Sequence, residues 1–306
     1  MKIYYLSSSS KIDSESKKKL EKLGDLILLS TRGIPEEEII NQIQDAEILL
    51  LSPSAIQKIT NVFFESLYKL KHLALLSSGF DWVDISSATK HNITVSYCKG
   101  ANAESVAEYT WAMLLGLVRG LYQEGINIEG EELFGKTIGI LGTGSIGEKV
   151  ARIAKAFNMR TLGFNKSHKR PKYFDEIVDL EILLASSDFI SINLPLTSET
   201  EGLIGENEIS KMKSGAYLVN TAREEIVDTK AVLTGIESGK IYGYGVDLNI
   251  TNELLKSENP YLKYKNIISI PHRGYNTKEA KKRMLSMAVE NIKSFTEGKS
   301  INLISV

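Results

Sequence analysis

The chain has 306 residues, of which 42% are hydrophobic and 25% charged, and its formal net charge is −1. This length predicts about two domains, and so balanced a charge predicts no nucleic-acid partner and no membrane surface as partner. The only cysteine, Cys98, excludes an intrachain disulfide, so a reducing, cytoplasmic location is expected. The longest apolar run, Trp111 to Val118, is far shorter than the roughly 20 residues that span a membrane.

Short apolar runs alternate with helical patterns along the whole chain. Continuous apolar runs are typical of strands buried on both faces, and their alternation with helices predicts an α/β fold with doubly wound parallel sheets. Eleven strands are many for one sheet, so two sheets in two domains are expected. The predicted strands are Lys2–Leu6, Leu26–Leu29, Ile48–Ser52, Leu73–Ser77, Thr94–Tyr97, Thr137–Leu141, Arg160–Phe164, Phe189–Asn193, Tyr217–Asn220, Gly243–Asp247 and Ile267–Ile270.

The domain boundary is predicted near residues 98–104, where a turn precedes a helix of about 18 residues that begins near Ala103. A long amphipathic helix from about Thr277 to Phe295 could return to the first domain. The predicted substrate domain therefore comprises residues 1–100 with 275–306, and the predicted dinucleotide-binding domain comprises 101–274.

A glycine-rich turn follows the sixth predicted strand. It reads Gly142-Thr-Gly144-Ser145-Ile146-Gly147 and leads into a helix predicted to run from Ile146 to Phe157. The first glycine permits the tight turn, the second lets the backbone approach a pyrophosphate, and the third allows the helix to pack on the strand. Between an apolar strand and an amphipathic helix, this spacing predicts a dinucleotide site rather than an ordinary strand-turn-helix connection.

The next strand ends at Asn165 rather than at the carboxylate that holds the ribose 2′-hydroxyl in NAD enzymes. The loop that follows contains Lys166, Ser167, His168, Lys169 and Arg170. Amides, hydroxyls and cations bind a 2′-phosphate, which a carboxylate would repel. NADP(H) is therefore favoured over NAD(H), although such a basic run can also be an ordinary solvated loop.

Three polar side chains follow predicted strands at the sheet edge where open α/β folds bind ligands. Of the four histidines, only His272 directly follows a strand that is expected to be buried, and histidine is the usual proton donor near neutral pH. Arg223 follows the strand that ends at Asn220 and could bind a carboxylate, or it could pair with Glu224 or Glu225. Asp247 could face a nicotinamide amide or cap a loop.

The chain resembles the D-2-hydroxyacid dehydrogenase family over essentially its whole length. The resemblance rests on four segments in the family's order: Ser78-Gly-Phe-Asp-Trp-Val-Asp84, Gly142 to Gly147, Asn220-Thr-Ala-Arg223 with Val227-Asp228, and Pro271-His272. It implies a flavodoxin-like substrate domain, a Rossmann cofactor domain, a small 2-oxo or 2-hydroxy acid as substrate, and a homodimer.

The resemblance also implies roles for individual residues. Ser78 and Gly79 would present backbone N–H groups to the substrate carboxylate, Arg223 would bind carboxylate and carbonyl, and His272 would be the acid and base. The cofactor would contact Ser145, Ile146, Thr221 and Asp247.

The chain departs from the family pattern at three places. The family has a glutamate five residues after the position of Asp247, where this chain has Asn252 followed by Glu253, so either could support His272. Asn165 replaces the acidic residue of the cofactor site, and the segment 119–135 is shorter than usual.

The leading hypothesis is an oxidoreductase that interconverts a small 2-oxo acid, such as glyoxylate or hydroxypyruvate, and its D-2-hydroxy acid. A nucleotide-binding sensor or corepressor on the same fold is the first alternative, which the missing glutamate permits and the presence of Arg223 and His272 disfavours. A formate- or phosphite-type dehydrogenase is the second, which Asn252 permits.

Overall fold

A computed structural model describes residues 1–8, 12–121, 129–166, 168–248 and 259–304. The chain divides into two compact units, unit 1 (Met1–Asn102 with Lys278–Val306) and unit 2 (Ala103–Thr277). The strands are Lys2–Ser7 (β1), Asp25–Ser30 (β2), Ile48–Leu51 (β3), His72–Leu75 (β4), Thr94–Ser96 (β5), Thr137–Leu141 (β6), Arg160–Phe164 (β7), Glu176–Ile177 (β8), Phe189–Ile192 (β9), Ala216–Asn220 (β10), Ile241–Leu248 (β11) and Ile267–Pro271 (β12).

The α-helices of the described residues, numbered in chain order, are Ser14–Glu21 (α1), Glu36–Gln42 (α2), Asn61–Ser66 (α3), Ile85–Lys90 (α4), Ala103–Val118 (α5), Ser145–Ala156 (α6), Leu180–Ser186 (α7), Glu206–Lys211 (α8), Thr229–Glu237 (α9) and Lys278–Thr296 (α10). None of these helices is long and apolar enough to cross a membrane.

Unit 1 is built on a five-stranded parallel sheet in the order β2-β1-β3-β4-β5. This is the flavodoxin-like order, in which β2 lies on one side of β1 and the later strands are added on the other side. The central strands β3 and β4 are fully buried, as continuous apolar runs predict.

His72 is the first residue of β4, one position before the strand that the sequence predicts from Leu73. Its side chain is completely buried and stacks on Phe295 of α10, with 4.4 Å between ring centroids. Both ring nitrogens are hydrogen-bonded, Nδ1 with the Thr94 hydroxyl at 2.8 Å and Nε2 with the Ser96 hydroxyl at 2.9 Å. Burial lowers the pKa of His72 to about 4, so the ring is neutral in the folded protein.

Unit 2 contains a seven-stranded sheet in the order β12-β11-β10-β9-β6-β7-β8, in which every pair is parallel. Strand order reverses between β6 and β9, the arrangement of a Rossmann fold. The predicted fold class, two doubly wound parallel-sheet domains, is confirmed. Because all strands run in one direction, their carboxyl ends share one edge of the sheet.

Two details of unit 2 differ from the prediction. The two-residue strand β8 was not predicted, because it is too short to produce an apolar run. The strand before His272, β12, was expected to be buried, but it is the edge strand of the sheet and only Ile268 among its residues is buried. An edge strand has no neighbour on one side, so its side chains keep partial access to solvent.

Candidate active site

The glycine turn after β6 has the geometry of a phosphate-binding loop. Gly142 has a φ of +93°, which a residue with a side chain rarely adopts, and a Cβ there would lie 2.5 Å from the carbonyl oxygen of Asn193. A Cβ on Gly147 would lie 1.9 Å from the carbonyl oxygen of Gly142, so α6 packs directly on the turn. These two glycines therefore fix the shape of the loop.

Gly144 has a different environment, because a Cβ at this position would meet no atom within 4 Å. It is the N-cap of α6, which has no side-chain cap, so the first N–H groups of that helix remain available to a ligand. A backbone open to solvent beside an uncapped helix N-terminus fits a pyrophosphate. The loop residues Gly142, Gly144, Ser145, Ile146 and Gly147 thus fit the dinucleotide for which the sequence predicts them.

The end of β7 places Asn165 against the same loop. Its Nδ2 donates hydrogen bonds to the Thr143 hydroxyl at 2.5 Å and to the Lys169 carbonyl at 3.0 Å. Lys166 forms an ion pair with Glu199, which belongs to the loop after β9. The carboxylate of Glu199 therefore lies near the end of β7, although Glu199 is 33 positions away from Lys166 in the sequence.

Arg223 follows β10, and the side chain of Asn220, the last residue of β10, holds the segment that contains it. The Asn220 amide donates to the Arg223 carbonyl at 2.7 Å, and its oxygen accepts from the Ala222 N–H at 3.1 Å. The Arg223 guanidinium donates to the Ala222 carbonyl at 2.8 Å, and its side chain is half-buried. A short 3-10 helix, Glu224–Ile226, begins directly after it.

Asp247 lies near the end of β11 and is only 4% exposed. Its carboxylate accepts hydrogen bonds from the backbone N–H of Arg273 at 2.8 Å and of Gly274 at 2.9 Å. Burial raises the pKa of Asp247, and the two N–H groups together with the positive charges of His272 and Arg223 offset part of that rise. Arg223 and His272 follow β10 and β12, the two strands that neighbour β11, so their charges act on this carboxylate.

His272 occupies a strained backbone position, with a φ of +38° that is unusual for any residue other than glycine. Its ring is half-buried and lies 5.4 Å from the ring of Tyr275, centroid to centroid. Strained positions of this kind persist only where surrounding contacts hold them, and they are common in active sites.

The substrate-binding candidates Ser78 and Gly79 belong to unit 1, in the segment after β4. The Ser78 hydroxyl donates to the Cys98 carbonyl at 2.7 Å, and the Gly79 carbonyl accepts from the Ser77 hydroxyl at 2.6 Å and from the Trp82 indole at 3.2 Å. These bonds rigidify the turn. Asn252, Glu253 and Ser167 lie outside the described residues, so the choice between Asn252 and Glu253 stays a prediction.

Three side chains of the site region were not identified from the sequence. Glu199 pairs with Lys166 from a different loop. On α5, Ser105 donates to the Gly274 carbonyl at 2.6 Å and Thr110 contacts the Thr221 hydroxyl at 2.8 Å. A serine or threonine in a helix has no local pattern that reveals such a partner, so no signal could have found these pairs.

Known proteins identify the family of this fold. Residues 106–274 match the NAD binding domain of D-isomer specific 2-hydroxyacid dehydrogenases. The chain belongs to this family. A glyoxylate reductase from Aeropyrum pernix is 39% identical over 251 residues, which are 76% of this chain and 75% of the relative. A hydroxypyruvate reductase from Thermotoga maritima is 31% identical and covers 94% of this chain and 97% of its own.

A solved structure of an acyclic imino acid reductase in complex with NADPH and D-Arg covers both chains completely, with a TM-score of 0.90 and 30% identity. The present chain is accordingly a 2-hydroxyacid dehydrogenase, an oxidoreductase of 2-oxo and 2-hydroxy acids that uses a nicotinamide cofactor.

Proposed function

We propose that this dehydrogenase is an NADPH-preferring reductase of small 2-oxo acids, glyoxylate or hydroxypyruvate, that forms the D-2-hydroxy acid. The observation that carries the proposal is that Arg223, Asp247 and His272 lie at or just after the carboxyl ends of three neighbouring strands, β10, β11 and β12. Relatives named glyoxylate reductase and hydroxypyruvate reductase support the choice of substrate.

Arg223 binds the substrate in this proposal. A guanidinium can hold a carboxylate with two parallel hydrogen bonds and polarise the adjacent carbonyl. The hydrogen bonds of Asn220 with the Ala222 N–H and the Arg223 carbonyl keep the loop in shape, so the guanidinium needs little reorganisation to engage the substrate. By resemblance to the family, the N–H groups of Ser78 and Gly79 also bind the substrate carboxylate.

His272 is the proposed general acid. A reduced nicotinamide, whose dinucleotide the loop with Gly142, Gly144 and Gly147 would hold, would supply the hydride for the carbonyl carbon. His272 gives its proton to the carbonyl oxygen, which becomes the hydroxyl. The nearby negative charge of Asp247 favours the protonated imidazole, the form that reduction requires. In the reverse direction His272 takes the hydroxyl proton back.

The cofactor preference rests on the strand end at Asn165. No carboxylate is attached to β7 itself, and Lys169 and Arg170 follow in the same loop, where they can attract a 2′-phosphate. Glu199 acts against this preference because it neutralises Lys166. The structural relative that holds NADPH supports the same choice.

We also propose that the enzyme is a homodimer. By resemblance to the family, the segment 119–135 contributes to the dimer, and Leu121 and Phe134 in this segment are each 71% exposed, so a second copy of the chain can cover them. Sedimentation of the purified protein should give twice the mass of one chain, and a single-chain mass would exclude the dimer.

A substrate screen with both cofactors tests the proposed function. The purified protein should oxidise NADPH faster than NADH with glyoxylate or hydroxypyruvate, and Arg223→Ala and His272→Ala should each lower turnover by orders of magnitude. Arg273→Ala and His91→Ala are matched controls, since the Arg273 side chain is exposed and His91 belongs to unit 1. Tight cofactor binding without turnover of any 2-oxo acid would favour a sensor instead.

A further inference from the structure

Two buried hydroxyls of α5 contact the segments that carry the proposed catalytic residues. Ser105 is 4% exposed and Thr110 is 0% exposed. Ser105 contacts the segment after β12 and Thr110 contacts the segment after β10, so one helix reaches both. An alanine or a valine would fill the same space, whereas a buried hydroxyl costs free energy unless it is hydrogen-bonded.

The Ser105 bond holds the segment that begins with the strained residue His272. Ser105 Oγ donates to the Gly274 carbonyl at 2.6 Å, while the N–H of Gly274 donates to Asp247 at 2.9 Å. The ring of Tyr109 packs against Gly274, because a Cβ on Gly274 would lie 3.3 Å from the Cδ1 atom of Tyr109. Gly274 is therefore held on its N–H and on its carbonyl, two residues after His272.

The Thr110 bond fixes the direction of a hydroxyl proton. Thr110 Oγ1 donates its only proton to the Val106 carbonyl at 2.8 Å, the usual bond of a threonine inside a helix. In its second contact, at 2.8 Å, Thr110 must accept, so the Thr221 hydroxyl donates to it. Thr221 is 8% exposed, and its hydroxyl then offers only lone pairs to any other group.

We propose that Ser105 and Thr110 are positioning residues of the active site, which set the His272 segment and the Thr221–Arg223 segment in register with each other. Neither side chain needs to touch substrate for this role. The inference rests on the proposed function, because it assigns the two hydroxyls to the reaction through Arg223 and His272.

The test uses paired variants of the full chain. Thr110→Val removes the acceptor with little change of volume, and Thr110→Ser keeps it. Ser105→Ala and Ser105→Thr form the second pair. Thr137→Val is the matched control. Thr137 is also buried in unit 2, but it is the first residue of β6 and so lies at the amino ends of the strands, away from the carboxyl ends where the site is proposed. Each variant is characterised by kcat, KM, the pH profile of kcat/KM, NADPH affinity by fluorescence titration, and Tm.

Thr110→Val should lower kcat by about 10- to 100-fold, the loss that a small misplacement of a reacting group causes. Thr110→Ser should restore most of it. Ser105→Ala should move the pH profile of kcat/KM, because the segment that begins with His272 and donates two N–H groups to Asp247 loses one of its hydrogen bonds. Ser105→Thr should keep the wild-type profile, and Thr137→Val should keep wild-type kinetics.

Wild-type kcat and pH profiles in Thr110→Val and Ser105→Ala would overturn the inference, and so would a loss of activity that only follows Tm and that Thr110→Ser does not restore. The proposed function is judged separately by Arg223→Ala and His272→Ala. If those two variants lose turnover while the α5 variants do not, only the inference fails. If those two variants keep full turnover, the proposed function fails first.

Discussion

Gly144 and Gly147 lie three positions apart in one loop, and the structure predicts that the same substitution lowers stability at Gly147 and leaves it unchanged at Gly144. In Gly147→Ala, the new Cβ would lie 1.9 Å from the Gly142 carbonyl oxygen, while real Cβ contacts essentially never fall below 3.0 Å. The loop or α6 must therefore move by about 1 Å, which costs about 1–3 kcal/mol of stability as overpacking does. Tm and NADPH affinity should both fall.

In Gly144→Ala, the new methyl group meets no protein atom within 4 Å, and the φ of −75° suits alanine. Stability should stay within about 1 kcal/mol of the wild type. The methyl group occupies space that a pyrophosphate needs, so the Kd for NADPH should rise about 10- to 100-fold, or about 1.4–2.7 kcal/mol.

Thermal unfolding without ligand and fluorescence titration with NADPH separate the two effects. An unchanged Kd in Gly144→Ala would refute the assignment of this loop to the pyrophosphate. An unchanged Tm in Gly147→Ala would refute the packing of α6 on the turn.

Three further predictions concern single side chains. Asn165→Asp should shift the preference from NADPH toward NADH, measured as the ratio of kcat/KM values, because a carboxylate repels the 2′-phosphate. Asp247→Asn should move the pH at which reduction declines to a lower value, since the charge that favours protonated His272 is lost. The free energy of unfolding should fall by about 3 kcal/mol more between pH 6.5 and pH 4 in the wild type than in His72→Gln, measured by urea denaturation.

The sign of the His72 effect follows from its lowered pKa. The ring is neutral in the folded protein down to a pH of about 4, whereas the unfolded chain binds the proton below about 6.5. The contribution of neutral His72 is therefore complete above pH 6.5 and is lost as the pH falls toward 4. Parallel curves of the free energy of unfolding against pH for the wild type and His72→Gln would exclude this origin of acid sensitivity.

For Asn165→Asp, an unchanged ratio of kcat/KM with NADPH to kcat/KM with NADH would contradict the 2′-phosphate argument.

The positions of most strands and the glycine loop could be predicted because their signals are local. The apolar run Thr137–Leu141 followed by three spaced glycines predicts a strand and a tight turn without reference to the rest of the chain. The boundaries of β6 and β7 agree with the prediction. The two-residue strand β8 contains no such information. The burial of His72 could not be predicted, because the charged residues Lys69 and Lys71 near it in the sequence favour an exposed segment.

The candidate site could be predicted only as far as strand ends. Arg223 and His272 each follow a strand and Asp247 lies near the end of another, and a parallel sheet brings such ends to one edge. The pair of Thr110 and Thr221 joins residues 111 positions apart, and Glu199 reaches Lys166 across 33 positions. Side-chain pairs of this kind depend on how a helix or loop is placed in space, which no short pattern specifies.

The central claim is that Arg223 and His272 act on the same carbonyl group. The most direct measurement is kcat/KM for NADPH-dependent glyoxylate reduction in Arg223→Ala, His272→Ala and the double variant. Residues that act as a unit give losses that do not add, so the double variant should be scarcely worse than the more impaired single variant. If the two losses multiply in the double variant instead, the residues act independently and the account is contradicted.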